Sequence, residues 1–301
     1  MFRLGVDIGA TKVNIGLLND EGVLICRRKM LIPHDSGCRS LLKRIADTAK
    51  ELLASAAVSP KQVASVGIGV PGTADGNRVI HAPNLGWKNE PCADLFQELF
   101  GLRPRLVQDT RAAAWGEYRA GAGRGAQSVV CVTLGTGVGC GIVLNGKILC
   151  GALGTAGEIG HIPVVRDGRP CNCGRRGCME TYASGTGIWN IAQESTVLAK
   201  HAQSAEDVFA LAAQGHGEAQ TIISQAVAYL GQVLVSAVNI LSPDALIFSG
   251  GMCNQQSLFI EPLEAYIRTH AYALVADTRL KVSVAELGEN APMIGAALLE
   301  R

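Results

Sequence analysis

The chain has 301 residues, of which 48% are hydrophobic and 18% charged, so an intrinsically disordered protein is excluded. Its 27 basic and 26 acidic side chains leave a formal net charge of +1, which argues against a nucleic-acid binder. Asp7 interrupts the amino-terminal apolar stretch too early for a signal peptide, and four glycines break the uncharged run 128–144. We therefore expect a cytoplasmic protein without a membrane partner, with its ten cysteines kept reduced.

Aliphatic runs alternate with helical patterns along the chain. The predicted strands are 4–8, 13–18, 63–70, 105–107, 245–249 and 281–285. The predicted helices are 40–57, 93–100, one from about 111, 218–241 and one from about 291. Between them, the polar and cysteine-rich stretch 154–180 shows little periodicity. This alternation predicts an α/β architecture.

Two segments of the chain share one pattern at an offset of 126 positions. Residues 6–9 (VDIG) and 132–135 (VTLG) each precede a glycine-rich turn, and 15–19 (IGLLN) and 141–145 (GIVLN) follow it. The repeat indicates a duplicated α/β unit, although a chance likeness between two hairpins stays an alternative.

The two turns are candidate phosphate sites. In DIGATK, 7–12, backbone N–H groups, a hydroxyl and Lys12 could hold an anion, and Asp7 could hold the water shell of Mg²⁺. An ordinary hairpin turn explains that segment equally well. The run LGTGVGCG, 134–141, fits neither the dinucleotide fingerprint nor the P-loop. Its alternating glycines suit a phosphate lying against the backbone, so the two turns together indicate a nucleotide clamped between two halves.

Four residues within eighteen positions could hold a metal ion: His161, Cys171, Cys173 and Cys178. Three thiols and an imidazole match a closed, tetrahedral and therefore structural zinc site. Unrelated reduced cysteines are the alternative.

Asp109 stands where a predicted strand passes into a helix. A carboxylate at such a junction can act as a general base towards a hydroxyl group. A helix-capping aspartate is the plainer interpretation of this residue taken alone.

These motifs, in this order, resemble the ROK family of bacterial sugar kinases over the whole chain. The matching strings are DIGATK, GVPG at 69–72, APNLGW at 82–87, QDTRAAAWGE at 108–117, LGTGVGCG, GEIGH at 157–161, CNCGRRGCME at 171–180 and FSGG at 248–251. The resemblance implies the two-lobed actin, hexokinase and Hsp70-like fold, which is ribonuclease H-like, with duplicated α/β domains and a zinc-bound loop at 157–180. It also implies a small lobe, 1–110, completed by the last helix at about 291–301, and a larger lobe, 111–290.

The resemblance further implies an ATP-dependent hexose kinase, glucokinase-like, with Mg²⁺ beside ATP and a structural Zn²⁺. Asp109 matches the catalytic base. The matching sugar-binding positions are Gly72, Asn84, Asp109, Glu158, His161 and Glu180. The matching nucleotide positions are Asp7, Gly9, Thr11, Lys12, Gly135, Thr136, Gly137, Gly139, Gly250 and Gly251. A homodimer is the assembly that the family implies.

Three residues depart from the family pattern: Ala10 replaces a glycine, Gln108 an asparagine, and Arg111 a small or amide residue. None of the three removes a reacting group. Glucose is the expected acceptor, on the strength of APNLGW. The alternatives are another hexose, namely N-acetylmannosamine, N-acetylglucosamine, fructose or allose, and a sugar-sensing regulator without catalysis. For the regulator, the early phosphate turn leaves no room for a preceding DNA-binding domain.

Overall fold

The computed structural model describes residues 1–33, 37–273 and 280–299. The strands of the first half are β1 (Phe2–Ile8), β2 (Lys12–Leu18), β3 (Leu24–Leu31), β4 (Val63–Val70), β5 (Thr73–Ala74), β6 (Val79–Ala82), β7 (Trp87–Glu90) and β8 (Arg105–Gln108). Its helices are α1 (Cys38–Ser55), α2 (Cys92–Phe100) and α3 (Asp109–Ala120).

The strands of the second half are β9 (Val129–Leu134), β10 (Val138–Leu144), β11 (Lys147–Ile148), β12 (Ala245–Ser249) and β13 (Lys281–Val284). Its helices are α4 (Glu180–Ala183), α5 (Gly185–Ala192), α6 (Ala205–Ala213), α7 (Gly217–Leu241), α8 (Glu261–His270) and α9 (Ala291–Ala297).

Two five-stranded sheets repeat one topology, as the 126-residue offset predicts. Their strand orders are β3-β2-β1-β4-β8 and β11-β10-β9-β12-β13. In each sheet an antiparallel hairpin, β1–β2 or β9–β10, pairs through its first strand with a parallel strand, β4 or β12. The duplicated α/β unit is confirmed. Strands β5, β6 and β7 form a small third sheet beside the first.

Helices α3 and α9 pack closely against each other and against strands of the sheets. Helix α9 packs on β1 and β4, where a Cβ at Gly5 would stand 2.0 Å from the carbonyl oxygen of Met293 and one at Gly67 1.8 Å from that of Ala296. Helix α3 packs on β9 and β10 of the second sheet and also contacts β4 and β8 of the first. The residue that opens α3, Asp109, is thereby held where the two sheets approach each other.

Helix α7 is long and apolar enough to cross a membrane by length and composition alone. It contains most of the uncharged stretch 219–243, which is longer than the glycine-broken run 128–144. Half of its most apolar stretch of 18 residues is buried. The helix packs against α6 and α8 within the core of the second half. Burial of this kind explains its apolar composition without a membrane.

The strongly apolar elements lie within a few residues of their predicted positions. The sequence patterns do not predict β3, the small sheet, or α5, α6 and α8. Helix α3 begins at Asp109, two residues before its predicted start, because Gln108 keeps the extended conformation of a residue that precedes a helix. The lobe boundary at residues 110 and 111 stays a prediction.

Candidate active site

Strands β1, β4 and β8 run parallel, so their carboxyl ends meet at one edge of the first sheet. Asp7 lies near the end of β1, Gly72 follows β4, and Asp109 follows β8. Ligands bind at this edge in open α/β sheets. Three of the predicted site residues therefore come together although they are spread over a hundred positions of sequence.

Asp109 is the first residue of α3, and its Oδ1 accepts a hydrogen bond of 2.7 Å from the backbone N–H of Thr110. Burial chiefly, together with the negative charges of Asp7 and Glu158, raises the pKa of Asp109 to about 6, against the lowering effect of the Thr110 bond. Asp109 is thus a carboxylate poised near neutral pH, with two other carboxylates within electrostatic reach. General bases need this property.

Asp7 is the second carboxylate of the site. Burial raises its pKa to about 6, while Asn14 and the charge of Lys12 oppose that shift. The side-chain amide of Asn14, on the neighbouring strand β2, donates a 3.2 Å hydrogen bond to Asp7 Oδ2. Asn14 is 4% exposed and belongs to the site, although no motif marks it; the one available signal is a polar residue inside the apolar strand KVNIGLL.

The first phosphate turn is tight, since the N–H of Gly9 donates to the carbonyl oxygen of Lys12 at 2.9 Å. Thr11 is exposed at the turn. The ammonium group of Lys12 lies 3.7 Å from a carboxylate oxygen of Glu289, which also pairs with Arg27 and Lys29. Lys12 is therefore engaged by a carboxylate in this conformation.

The second turn is also closed by a backbone hydrogen bond, but over a shorter span, with the N–H of Gly135 donating to the carbonyl oxygen of Gly137 at 3.1 Å. Its alternating glycines also have a packing reason that was not predicted. A Cβ at Gly137 would stand 2.6 Å from Glu180 Oε2, and one at Gly139 2.4 Å from Thr110 Cγ2. The space beside Gly135 is open. Close packing of α3 and Glu180 thus accounts for two of these glycines even without a phosphate.

The predicted sugar-binding side chains come from three separate segments. Asn84 is exposed in a short turn after β6, and Glu180 opens α4, where its Oε2 accepts a 2.8 Å bond from the N–H of Val138. Glu158 Oε1 accepts a 3.2 Å bond from the amide of Gln108, the residue before Asp109. Glu158 Oε2 stands 3.9 Å from His161 Nε2. Glu158 and His161 therefore face each other beside Asp109, the candidate general base.

The structure assembles the four predicted metal ligands. The ligand atoms of His161, Cys171, Cys173 and Cys178 all lie within 4.8 Å of one another. Cys171 Sγ is 3.6 Å from His161 Nδ1, and Cys173 Sγ is 3.6 Å from Cys178 Sγ. Ligands at zinc distances around a tetrahedral ion stand about 3.5–3.8 Å apart, so the donor set and its spacing fit Zn²⁺. His161 offers Nδ1 to the cluster and Nε2 to Glu158.

A cavity of about 440 Å³ lies beside the second turn. Its lining includes Gly135, Thr136 and Gly251 together with residues of α5 and α6. Gly250 has φ 95°, and a Cβ there would stand 2.3 Å from the carbonyl oxygen of Leu134, so this turn requires glycine. Thr136 also lines a second cavity of about 660 Å³, whose lining includes Asn84 and Glu180.

The ROK family matches residues 3–301 of this chain. The chain belongs to the ROK family. A glucokinase from Halalkalibacterium halodurans is 34% identical, covering 98% of this chain and 94% of the relative. An N-acetylmannosamine kinase from Yersinia pestis is 33% identical, covering 99% of this chain and 98% of the relative.

Solved ROK structures share the fold over the full length. A ROK family glucokinase from Streptomyces griseus, in complex with glucose and AMPPNP, is 32% identical with a TM-score of 0.79, covering 99% of this chain and 98% of that one. A ROK family transcriptional regulator, described as a homologue of the E. coli protein MLC, is 29% identical with a TM-score of 0.85, covering 99% of this chain and 77% of that one. The two-lobed fold that the motifs imply is confirmed.

The sequence of this ROK protein does not reveal several of the residues that line the cavity of about 440 Å³. Trp189, Phe209 and Met252 line it, as do the first residues of α6. No motif or regular spacing marks them, because they come from three elements that only the fold brings together. The signals that the sequence offers for this side of the site are the glycine pair at 250–251 and the turn at Gly135 and Thr136.

Proposed function

We propose that this ROK-family protein, an ATP-dependent sugar kinase, transfers the γ-phosphate of ATP to the 6-hydroxyl group of glucose. The observation that carries the proposal is Asp109, a partly buried carboxylate with its pKa raised to about 6. It lies beside a phosphate-type turn and beside Glu158. Such a group can accept the proton of a sugar alcohol as that oxygen attacks phosphorus.

The residues have separate tasks in this reaction. Asn84, Glu158, His161 and Glu180 bind and orient the sugar hydroxyl groups, and the backbone at Gly72 closes the same pocket. Asp109 takes the proton from the attacking hydroxyl group. The turns at Gly9, Thr11 and Lys12 and at Gly135, Thr136, Gly137 and Gly139 hold the phosphates. Gly250 and Gly251 allow the adenosine to approach the backbone. Catalysis by this set is mainly positioning and charge stabilisation.

Two metal ions complete the proposal. Asp7, with its oxygen held by Asn14, fits the water shell of Mg²⁺, and that ion supplies charge neutralisation for the phosphates when bound. Three thiols and Nδ1 of His161 fit a structural Zn²⁺, which would fix the loop between Glu158 and Glu180. With Nδ1 engaged, the N–H at Nε2 is left to donate towards Glu158 or a sugar hydroxyl group.

A panel of hexoses tests the acceptor. We expect glucose to give the highest kcat/KM in a coupled assay with ATP and Mg²⁺. N-acetylmannosamine is the main alternative because a kinase for it is 33% identical to this chain. A higher kcat/KM for N-acetylmannosamine, N-acetylglucosamine, fructose or allose would overturn the assignment of glucose while leaving the hexose kinase intact.

Asp109→Asn tests catalysis against a regulatory role without chemistry. The amide cannot accept the proton, so turnover should fall by about 10²–10⁴-fold while glucose binding by calorimetry persists. A variant that keeps more than about a tenth of the wild-type rate would remove Asp109 as the base. Absence of any hexose phosphorylation by the wild-type protein would favour the sugar-sensing alternative.

A cytoplasmic location and a homodimer belong to the same proposal. ATP as the phosphoryl donor supports the first, as do ten cysteines that are all free in the structure. The dimer rests on the family resemblance. Light scattering after size exclusion tests it, with an expected mass of twice the 31.5 kDa of one chain.

A further inference from the structure

Two of the residues that depart from the family pattern, Gln108 and Arg111, flank Asp109 and reach the same segment. The amide of Gln108 donates to Glu158 Oε1 at 3.2 Å. Nη2 of Arg111 donates to the carbonyl oxygen of Ala156 at 2.8 Å. One side chain before the base and one after it therefore tie α3 to the stretch 156–158.

Arg111 is an unusual residue to bury, with 2% of its surface exposed. Arginine keeps its charge at any ordinary pH, and a buried charge is unfavourable unless it is paired. Among the residues described, its one hydrogen bond is to Ala156, and its Nε has no partner at all. The contact with Ala156 is thus the specific interaction that this side chain makes.

The segment that receives this bond is held against β10 at Gly157, where an added Cβ would stand 2.5 Å from the carbonyl oxygen of Cys140. Residues 149–158 form neither helix nor strand, and a cavity of about 420 Å³ lies between residues 150–154 and the side chains of Gln108 and Arg111. The N–H of Ala156 donates to the carbonyl oxygen of Cys150 at 3.0 Å, a bond within the segment itself. Because residues 150–154 face the cavity, the bond from Arg111 joins the packing of Gly157 in fixing Ala156 relative to α3.

We propose that Arg111 is a positioning residue for the sugar site. Through Ala156 it sets where Glu158, two residues later, stands relative to Asp109 on the same helix as Arg111. The inference rests on the proposed function, in which Glu158 binds the sugar and Asp109 takes its proton. Loss of the Arg111 bond should let the segment move into the cavity of about 420 Å³ beside it, so that glucose binding weakens. The cavity of about 440 Å³ beside Gly251, on the side proposed for the adenosine, should stay intact.

The test compares Arg111→Met and Arg111→Lys with wild type and with Arg44→Met. Arg44 is a matched control, because its guanidinium also donates to one carbonyl oxygen, that of Leu31, at an exposed position outside the site. For Arg111→Met we expect the KM for glucose to rise by about tenfold or more, with the KM for ATP changed by less than about twofold. Arg111→Lys keeps the charge and a group that can donate an N–H bond, and should recover much of the loss. Arg44→Met should match wild type.

A purely structural role would lower the amount of active enzyme without this split between the two KM values. Equal changes in both KM values, or no recovery by Arg111→Lys, would therefore overturn the proposal.

Hydrogen exchange of the sugar-free enzyme gives a second measurement that does not depend on the acceptor. Amides of 152–158 should exchange about tenfold faster in Arg111→Met, or in Arg111→Lys if Arg111→Met does not fold, with α1 unchanged. Unchanged exchange at 152–158 would refute positioning even if another sugar proves to be the substrate.

Discussion

At the scale of single residues, the site gathers carboxylates rather than pairing them with cations. Asp7 and Asp109 both have a pKa raised to about 6, chiefly by burial, and the charge of Asp7 adds to the shift at Asp109. A base that is ionised at neutral pH but close to its pKa can both accept and release a proton. The raised pKa values lower the stability of the folded protein near neutral pH but favour proton transfer. Perturbed pKa values of this kind are typical of functional sites.

Activity should therefore depend on pH with an acid limb near 6. Asp109 must be ionised to accept a proton, so kcat/KM for glucose should be constant above about pH 7 and fall about tenfold per unit below about pH 6. If Asp7 must also be ionised, the fall is steeper, because the two groups titrate as a pair. A profile that stays flat down to about pH 5 would contradict the raised pKa.

Circular dichroism over the same range separates titration from unfolding. A carboxyl group whose pKa is higher in the folded than in the unfolded protein binds its proton more tightly when folded. The contribution of Asp7 and Asp109 to the free energy of unfolding thus grows as the pH falls from about 6 to about 4. Loss of activity near pH 5 with intact secondary structure is the expected result.

Sequence could predict residues whose task depends on their own chemistry. Asp109, the cysteine cluster and the two turns carry recognisable patterns. Asn14 and Arg111 could not be assigned in this way, because their importance lies in one hydrogen bond to a partner set by the fold, Asp7 in one case and Ala156 in the other. Neither residue type nor spacing encodes such a partner.

At the scale of elements, strand β10 and helix α3 approach unusually closely. A Cβ at Gly139 would stand 2.4 Å from Thr110 Cγ2, and one at Gly141 2.4 Å from the carbonyl oxygen of Thr110. These glycines bring the first turn of α3, and so Asp109, next to the second phosphate turn. Glycine in this strand is thus a condition for assembling the site.

Gly139→Ala should push α3 away from β10. Forcing an extra methyl group into a packed contact destabilises by about 1–3 kcal/mol, and displacement of Asp109 should lower kcat by about tenfold or more. Gly217→Ala is a matched control, since nothing lies within 4 Å of its added Cβ at the start of α7. Urea unfolding measures both variants. Equal stability of the two would show that β10 and α3 adapt without strain.

The loop that carries the metal candidates connects Glu158 to Glu180. Cys173→Ser removes one of four ligands, so bound zinc measured by atomic emission should fall well below one ion per chain. With the loop released, the KM for glucose should rise by about tenfold or more and that for ATP should stay within about twofold. Cys26→Ser, on β3 and outside the cluster, is the control. Equal zinc content in Cys173→Ser and wild type would disprove the ligand assignment.

Elements that are apolar throughout could be predicted from sequence, and elements shaped by their neighbours could not. The buried strand β12 has its predicted bounds, because every one of its residues is buried. Strand β3, LICRRKML, is an edge strand with five of its eight residues exposed, so its sequence carries no alternation strong enough to reveal it. Helices α5 and α6 were missed for a similar reason, since both are short and lie next to a glycine- and polar-rich stretch.

At the scale of the whole molecule, two copies of one sheet topology enclose a site that is open to solvent. The cavities beside Thr136 hold about 440 and 660 Å³, and that residue lines both. Water is a far more abundant nucleophile than a sugar, and Asp109 could activate either. A kinase with this geometry must therefore exclude water when the acceptor is bound, which closure of the two lobes would achieve.

Closure predicts a specific side reaction. A pentose with the ring of glucose but no 6-hydroxymethyl group, such as xylose, should occupy the sugar pocket, favour closure and leave room for one water molecule beside Asp109. ATP hydrolysis without sugar should be at least about a hundredfold slower than glucose phosphorylation, and xylose should raise it about tenfold. Asp109→Asn should abolish the stimulated hydrolysis, because the same base serves both nucleophiles. If xylose competes with glucose yet leaves hydrolysis unchanged, binding and closure are not coupled in this protein.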